Sequence, residues 1–310
     1  MRQVALCGRR LVNEMNYVIG VDGGGTKTVA LLAGLDGRVI ARGVSGPSNY
    51  NAVGFEMACT ALESAINLVR KDHPGEISAL CLGLAGAGRQ DDIKRFQRWA
   101  IEKFPGIAVK IVNDAEILLA AGSPTGPALA LICGTGSIVY GRTTTGELIR
   151  AGGWGYLFGD EGSGYAISVA ALRAVLQAYD GRGDLTLLTE SVLARRGLSS
   201  PPDLIRNIYG TETLRLEVAA LADLVEQAAE QGDRVAIAIL DEAAWELART
   251  VAVVYPKLGA SISQLVITGG TILYGTYLKV AFRSACESLG LTFTEVRFVS
   301  EPVEARCNWR

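Results

Sequence analysis

Apolar and polar positions along the chain lay out strands before anything else. Residues 17–22 (YVIGVD) are an apolar run ending in an acid, followed by Gly23-Gly24-Gly25-Thr26. Residues 27–34 are apolar again, Asp36-Gly37 is a hairpin-turn pair, and 38–43 (RVIARG) complete a third strand. The pattern predicts three antiparallel strands over 17–43. Phe55, Cys59, Leu62, Ile66 and Val69 recur at three- and four-residue spacing, which predicts an amphipathic helix over 55–70. A buried strand over 78–84 runs into Ala85-Gly86-Ala87-Gly88. A polar helix over 91–103 and a strand over 107–112 follow, the strand ending at Asn113-Asp114.

The same pattern returns about 110 residues later. Residues 127–133 (PALALIC) are apolar, Gly134-Thr135-Gly136-Ser137 is a glycine turn, 138–142 a strand, Thr145-Gly146 a turn, and 147–151 a third strand. Two copies of one unit predict two related domains rather than a solenoid, with chance recurrence of common hairpins as the alternative. Beyond 151 the spacing predicts helices over 163–179, 187–196, 215–231 and 233–255. A strand over 264–268 then enters Gly269-Gly270, before a helix over 276–289 and a strand over 292–299. This order is that of an α/β class protein. Gly122-Ser123-Pro124 breaks the chain and places the boundary near 115–125. Residues 1–16 read as an extension, with 1–14 either disordered or lying upstream of a start at Met15, 17–118 as an N-terminal lobe and 119–310 as a C-terminal lobe whose last residues could return to the first.

Composition narrows the chemistry. A chain of 310 residues suits two domains, each large enough for its own core. With 49% hydrophobic and 20% charged residues, general disorder is excluded. The net charge of −2 gives no bulk electrostatic reason to seek nucleic acid or an anionic membrane. Apolar runs fall short of the ~18 residues of a membrane span, and the run after Arg9-Arg10 is too short for an export signal. The single histidine, His73, precedes Pro74 and reads as a loop residue, which leaves a Ser-His-Asp mechanism or a His-rich metal site little to use. The six cysteines include no CxxC pair; Cys59, Cys81 and Cys133 lie in apolar runs and read as buried thiols of a reducing cytoplasm. Glycine is in excess, 37 residues, which suggests tight turns or backbone-lined ligand loops.

Six constellations carry candidate chemistry. Asp22-Gly23-Gly24-Gly25-Thr26-Lys27-Thr28 sets a carboxylate at a strand end before glycines whose N–H groups can approach phosphate. Thr26 and Thr28 could add hydroxyls and Lys27 a charge, while Asp22 suits hydrated Mg²⁺. The spacing is neither Walker A nor GxGxxG, and a plain hairpin turn is the alternative. Gly134-Thr135-Gly136-Ser137 repeats the device, so that the two hairpins would clasp a triphosphate across a cleft. Thr268-Gly269-Gly270-Thr271 suits close packing on an adenosine, or a helix-entry loop. Asp114 is placed either as a general base for an attacking hydroxyl or as the N-cap of a helix starting at Ala115. Trp154 and Tyr156 offer flat faces, and Asp160 and Glu161 acceptors, as a sugar ring wants; core packing of Trp154 and helix capping by Asp160 are the alternatives. Ser45-Gly46-Pro47-Ser48-Asn49-Tyr50-Asn51 is a polar loop that could reach sugar hydroxyls or merely connect.

Together these segments resemble the BadF/BadG/BcrA/BcrD-type ATPases, and within them the N-acetylglucosamine kinases. The carriers are VDGGGTKT (21–28), SGPSNYNAVG (45–54), NDA (113–115), CGTGS (133–137), GGWGYLFGDEGSGY (152–165) and TGG (268–270). The resemblance implies an actin-like (ribonuclease H-like) fold of two lobes around a nucleotide and sugar cleft, with ATP and Mg²⁺ as cofactors and a homodimer. Gly24, Gly25, Thr26 and Lys27 would contact phosphates, with Asp22 near Mg²⁺. Gly134, Thr135 and Gly136 would form the second clasp, and Gly269 and Gly270 the adenosine site. Asn49, Asp114, Trp154, Gly155 and Asp160 would hold the sugar, Asp114 activating its 6-hydroxyl. Glucosamine, glucose or a broad set of hexoses remain open as substrates. Two departures stand out. The ending Glu304–Arg310 lacks the small-residue helix expected to return to the first lobe. The zinc-binding cysteine cluster of another sugar-kinase family with a DGGTK start is missing. The rival readings are an iron–sulfur ATPase activator of a dehydratase, for which no matching cysteine pair is seen, and a non-catalytic sugar sensor.

Overall fold

The computed structural model describes residues 16–87, 89–113, 116, 118–120, 123, 126–209, 214–259 and 264–300. The described residues up to Asn113 make one compact unit and those from Glu116 to Ser300 another.

The first unit opens with β1 (Asn16–Gly23), β2 (Thr28–Gly34) and β3 (Val39–Ser45), joined by tight turns and paired antiparallel. A short α1 (Tyr50–Val53) leads into α2 (Phe55–Arg70), then β4 (Glu76–Leu84), α3 (Gln90–Lys103) and β5 (Ala108–Asn113). The sheet order is β3-β2-β1-β4-β5, with β1, β4 and β5 parallel. Helix α2 spans the range that its apolar period predicts and buries Cys59, Leu62, Ile66 and Val69. Its approach to β3 is close: a Cβ on Gly43 would lie 2.7 Å from the Ala65 carbonyl oxygen, so a side chain there would push the helix away.

The second unit repeats the topology. Strands β6 (Ala128–Cys133), β7 (Ser137–Arg142) and β8 (Leu148–Gly152) pair antiparallel, and β9 (Gln264–Thr268) and β10 (Glu295–Phe298) add parallel to β6. The order β8-β7-β6-β9-β10 is that of the first sheet, so the recurrence in the sequence is a recurrence of fold. Between β8 and β9 run α4 (Gly164–Tyr179), α5 (Leu188–Arg196), α6 (Asp203–Tyr209), α7 (Leu214–Ala219), α8 (Ala222–Glu230) and α9 (Arg234–Val254). After β9 come α10 (Gly270–Tyr274) and α11 (Thr276–Ser288). None of the described helices is long and apolar enough to cross a membrane.

Sequence and structure differ at three places. The single helix expected over 215–231 is two, α7 and α8. At the break the Ala219 carbonyl accepts the Ser168 hydroxyl at 3.3 Å, and Leu221 and Leu224 turn to bonds three residues back, with Val218 and Leu221. Helix α6 escapes the period because it buries only Leu204. Cys81 is half-buried rather than buried, whereas Cys59 and Cys133 are buried free thiols as expected.

Asp233 shows how one side chain fixes the helical layer. It caps α9 by accepting from the Ala236 N–H at 2.9 Å. It also accepts from the Leu187 N–H at 2.6 Å and the Thr186 hydroxyl at 2.9 Å, which ties α9 to the start of α5. Burial works against its charge, yet these bonds outweigh burial and hold the carboxyl below the ordinary aspartate range. Asp233→Ala is expected to cost about 2 kcal/mol in urea unfolding at neutral pH. The native group binds its proton less readily than the unfolded one. Its contribution is therefore full above the ordinary value of about 3.9 and fades as pH falls from there through the depressed native value. A difference between variant and wild type that grew on acidification would contradict this.

Candidate active site

In the first unit three loops meet at the C-terminal end of β1. Gly23 closes the strand, and a Cβ there would stand 2.6 Å from the Ser48 hydroxyl and 2.9 Å from the Leu84 side chain, so no larger residue fits. The hairpin turn is pinned by the Gly24 N–H donating to the Lys27 carbonyl at 3.0 Å. The Gly24 carbonyl accepts the N–H groups of Ser48 and Asn49 at 3.0 and 3.1 Å, and the Gly23 carbonyl that of Ala85 at 2.8 Å. Gly25, Thr26 and Lys27 stand exposed at the tip, and Asp22 is half-buried at the strand end. A single carboxylate beside a phosphate-sized turn is all that a hydrated Mg²⁺ asks of a protein.

Thr28 departs from its expected role as a ligand donor. It is fully buried; its hydroxyl donates to the Gly46 carbonyl at 2.8 Å and lies 2.7 Å from the Ser48 hydroxyl. It thereby ties the Ser45–Asn51 loop to the hairpin. Asn49 in that loop caps α1 by accepting from the Asn51 N–H at 3.2 Å, and its side chain lies against Gly86. Asp114 is outside the described residues; the last described residue before it, Asn113, ends β5 opposite Leu84.

In the second unit the corresponding hairpin is held from two sides. The Gly134 carbonyl accepts the Gly164 N–H at 2.8 Å and the Thr271 hydroxyl at 2.9 Å, and the Thr135 carbonyl accepts the Tyr165 N–H at 3.3 Å. Gly269 backs directly onto Cys133 and Gly134. The structure thus gathers Gly134, Thr135, Gly136, Gly269, Gly270 and the start of α4 into one locale.

Asp160 belongs to that locale. It is 4% exposed and, among the described residues, the only non-glycine with positive φ, +60°. Its carboxylate accepts the Arg215 guanidinium at 2.9 Å. Burial raises its pKa, and the Arg215 charge and the backbone N–H groups of Ser137 and Gly155 oppose that rise. It does not cap α4; Ser163 does, accepting from the Ala166 N–H at 3.3 Å. Trp154 is not core: it is 65% exposed, with the Arg150 guanidinium 4.3 Å above its ring. Gly155 turns the chain beneath it at φ +87°. Sequence reasoning missed Arg215, which reaches Asp160 from α7, 55 residues away, and leaves no local signal.

A family model described as the BadF/BadG/BcrA/BcrD ATPase family matches residues 19–288. The chain is 38% identical to the N-acetylmuramic acid/N-acetylglucosamine kinase of Clostridium acetobutylicum over 291 residues, 92% of this chain and 94% of that one. It is 37% identical to the N-acetyl-D-glucosamine kinase of Dictyostelium discoideum over 270 residues, 82% and 85% of the two chains. Among solved structures, a structural-genomics target from Porphyromonas gingivalis superposes with a TM-score of 0.77 at 20% identity, covering 94% of this chain and 97% of the other. A ROK family glucokinase from Streptomyces griseus superposes with a TM-score of 0.60 at 16% identity, with coverage of 94% and 97%. At these identities the structures share the fold, which is that of the actin-like ATPases.

Proposed function

The chain belongs to the BadF/BadG/BcrA/BcrD ATPase family, and we propose that it is an ATP-dependent kinase of an N-acetylated amino sugar, N-acetylglucosamine first, acting on the 6-hydroxyl. The observation that carries this reading is the identity of 38% and 37%, along most of the chain, to two relatives named as kinases of that sugar. Cys133 speaks against the iron–sulfur alternative. It is fully buried, its thiol donates to the Gly162 carbonyl at 3.4 Å, and burial pushes its pKa up to about 12, so it is no surface thiolate for a cluster.

The roles follow from the chemistry of each group. Phosphoryl transfer needs positioning and charge neutralisation more than covalent help. Gly24, Gly25, Thr26 and Lys27 at one hairpin, and Gly134, Thr135 and Gly136 at the other, take phosphate oxygens; Gly269 and Gly270 take the adenosine. Asp22 would hold Mg²⁺ on the nucleotide, which would supply charge neutralisation when bound. Asn49, Trp154, Gly155 and Asp160 take the sugar: Trp154 presents an exposed ring to its apolar face and Asp160 a fixed acceptor to a hydroxyl. Asp114 accepts the proton of the attacking hydroxyl. A cytoplasmic place and a homodimer go with the family resemblance.

A coupled ADP-release assay with Mg-ATP and a sugar panel tests the reading. The expected result is release that rises at least about tenfold over the sugar-free rate with N-acetylglucosamine and yields a 6-phosphate. A response confined to glucose would move the substrate. Sugar-independent release from an iron-containing preparation would overturn the reading.

A further inference from the structure

The two glycine hairpins repeat one another in fold but not in charge. The first carries Lys27 at its exposed tip, whereas Cys133-Gly134-Thr135-Gly136-Ser137 brings no basic residue of its own. A cation reaches that second hairpin from elsewhere. Arg215 comes from α7 and packs over Gly136, where a Cβ would lie 3.1 Å from Nη2. Nη2 bonds the Asp160 carboxylate at 2.9 Å, and the guanidinium carbon stands 5.4 Å from the Tyr156 ring centre. Asp160 is itself tied to the hairpin. The Ser137 hydroxyl donates to the neighbouring Glu161 carbonyl at 2.6 Å, and a Cβ on Gly136 would fall 2.7 Å from the Asp160 Oδ2. The pair is turned one way: the Asp160 side chain is 6% exposed and that of Arg215 44%, so the carboxylate is the buried anchor and the cation the open end.

We propose that Arg215 is a catalytic residue of phosphoryl transfer: it is the cation of the second hairpin, as Lys27 is of the first, and it stabilises the charge on the phosphoryl group in transit. This rests on the kinase reading and deepens it. In that reading the sugar 6-oxygen bonds the γ-phosphorus while the bond from that phosphorus to the β–γ bridging oxygen breaks. ADP leaves with the electron pair, and Asp114 takes the hydroxyl proton. The charge on the moving and leaving oxygens is what the site must stabilise. A guanidinium fixed in advance does so without reorganising as the bonds change. Asp160 supplies that fixing, from a residue held at φ +60°, a conformation that a non-glycine keeps only where its surroundings impose it. Arginine suits the place because its planar donors serve the carboxylate and a phosphate oxygen together. Asp160 then works twice, as an acceptor for the sugar and as the anchor of the cation.

The test uses the full chain with Mg-ATP and N-acetylglucosamine, for wild type, Arg215→Gln and Arg215→Lys. Glutamine still offers Asp160 an N–H but carries no charge. Arg215→Gln is expected to lower kcat about a hundredfold while the KM values of sugar and ATP each move less than about threefold, because the lost interaction is made in the transition state. Arg215→Lys should recover about tenfold of that loss, since it keeps the charge without the planar donors. If the glutamine variant fails to fold, the lysine variant decides alone: about a tenfold loss of kcat at steady KM values is expected, and wild-type kcat there overturns the proposal. A loss confined to the sugar KM overturns it as well and makes Arg215 a positioning residue for Asp160. A loss confined to the ATP KM overturns it in favour of a ground-state contact to the nucleotide. Active wild type with unaffected variants overturns this proposal alone, whereas no turnover of any sugar by wild type overturns the kinase reading and this proposal with it.

Discussion

Asp114→Asn is expected to lower turnover about a thousandfold while Mg-nucleotide binding changes by less than about threefold. A sugar hydroxyl is a poor nucleophile until its proton has somewhere to go, and a carboxylate in reach provides that place as the bond to phosphorus forms. Asparagine keeps the size and a hydrogen-bonding oxygen but cannot take the proton. The substitution also separates the two readings of Asp114, because asparagine caps a helix as well as aspartate does. A merely capping Asp114 would leave Asp114→Asn active; a catalytic one leaves it folded, nucleotide-binding and nearly inert. Rapid-quench measurement of sugar phosphate, beside a nucleotide titration, reads both quantities, and wild-type turnover would remove the base from the mechanism.

Gly269→Ala is expected to destabilise the second unit by about 3 kcal/mol and to abolish nucleotide binding, while Gly270→Ala changes stability by less than about 0.5 kcal/mol. The two glycines are adjacent but differently placed. Gly269 has φ +107°, and a Cβ on it would fall on the Cys133 carbonyl and within 2.7 Å of the Gly134 nitrogen. That is backbone, fixed on one side by the β6–β9 pairing of Ile132 with Thr268 and on the other by the hairpin. Neither neighbour can swing away as a side chain would. A Cβ on Gly270 meets only the Tyr274 ring, at 3.8 Å, an ordinary contact. Thermal melts of the two variants decide it: equal melting temperatures would show that the close approach is not the constraint.

Much of the fold was legible because its signals are local. The 3.6-residue period of α2 and the glycine turns that close β1–β2 and β6–β7 lie within a few residues of the chain, and observed strand limits fall within three residues of the expected ones. The split between α7 and α8 was not legible, since the apolar period runs through Ala219 and the partner of its carbonyl at the break is Ser168, 51 residues away. Thr28 read as a hydroxyl donor to the ligand, because nothing local shows that its hydroxyl is taken up by Gly46 and Ser48, 18 and 20 residues away. The sequence could not tell whether Trp154 was core or surface, because one aromatic among glycines has no period.

The sequence by itself determined the class of the fold, the doubling of its sheet, and where along the chain glycines turn the backbone. These follow from periodicity and from the conformational range of single residues. Only the tertiary structure decided which of two neighbouring glycines is irreplaceable, which hydroxyl is locked inside, and that Asp160 is held by Arg215. Each of those is a distance between residues far apart in the chain, fixed by how the strands and helices pack rather than by any run of neighbours.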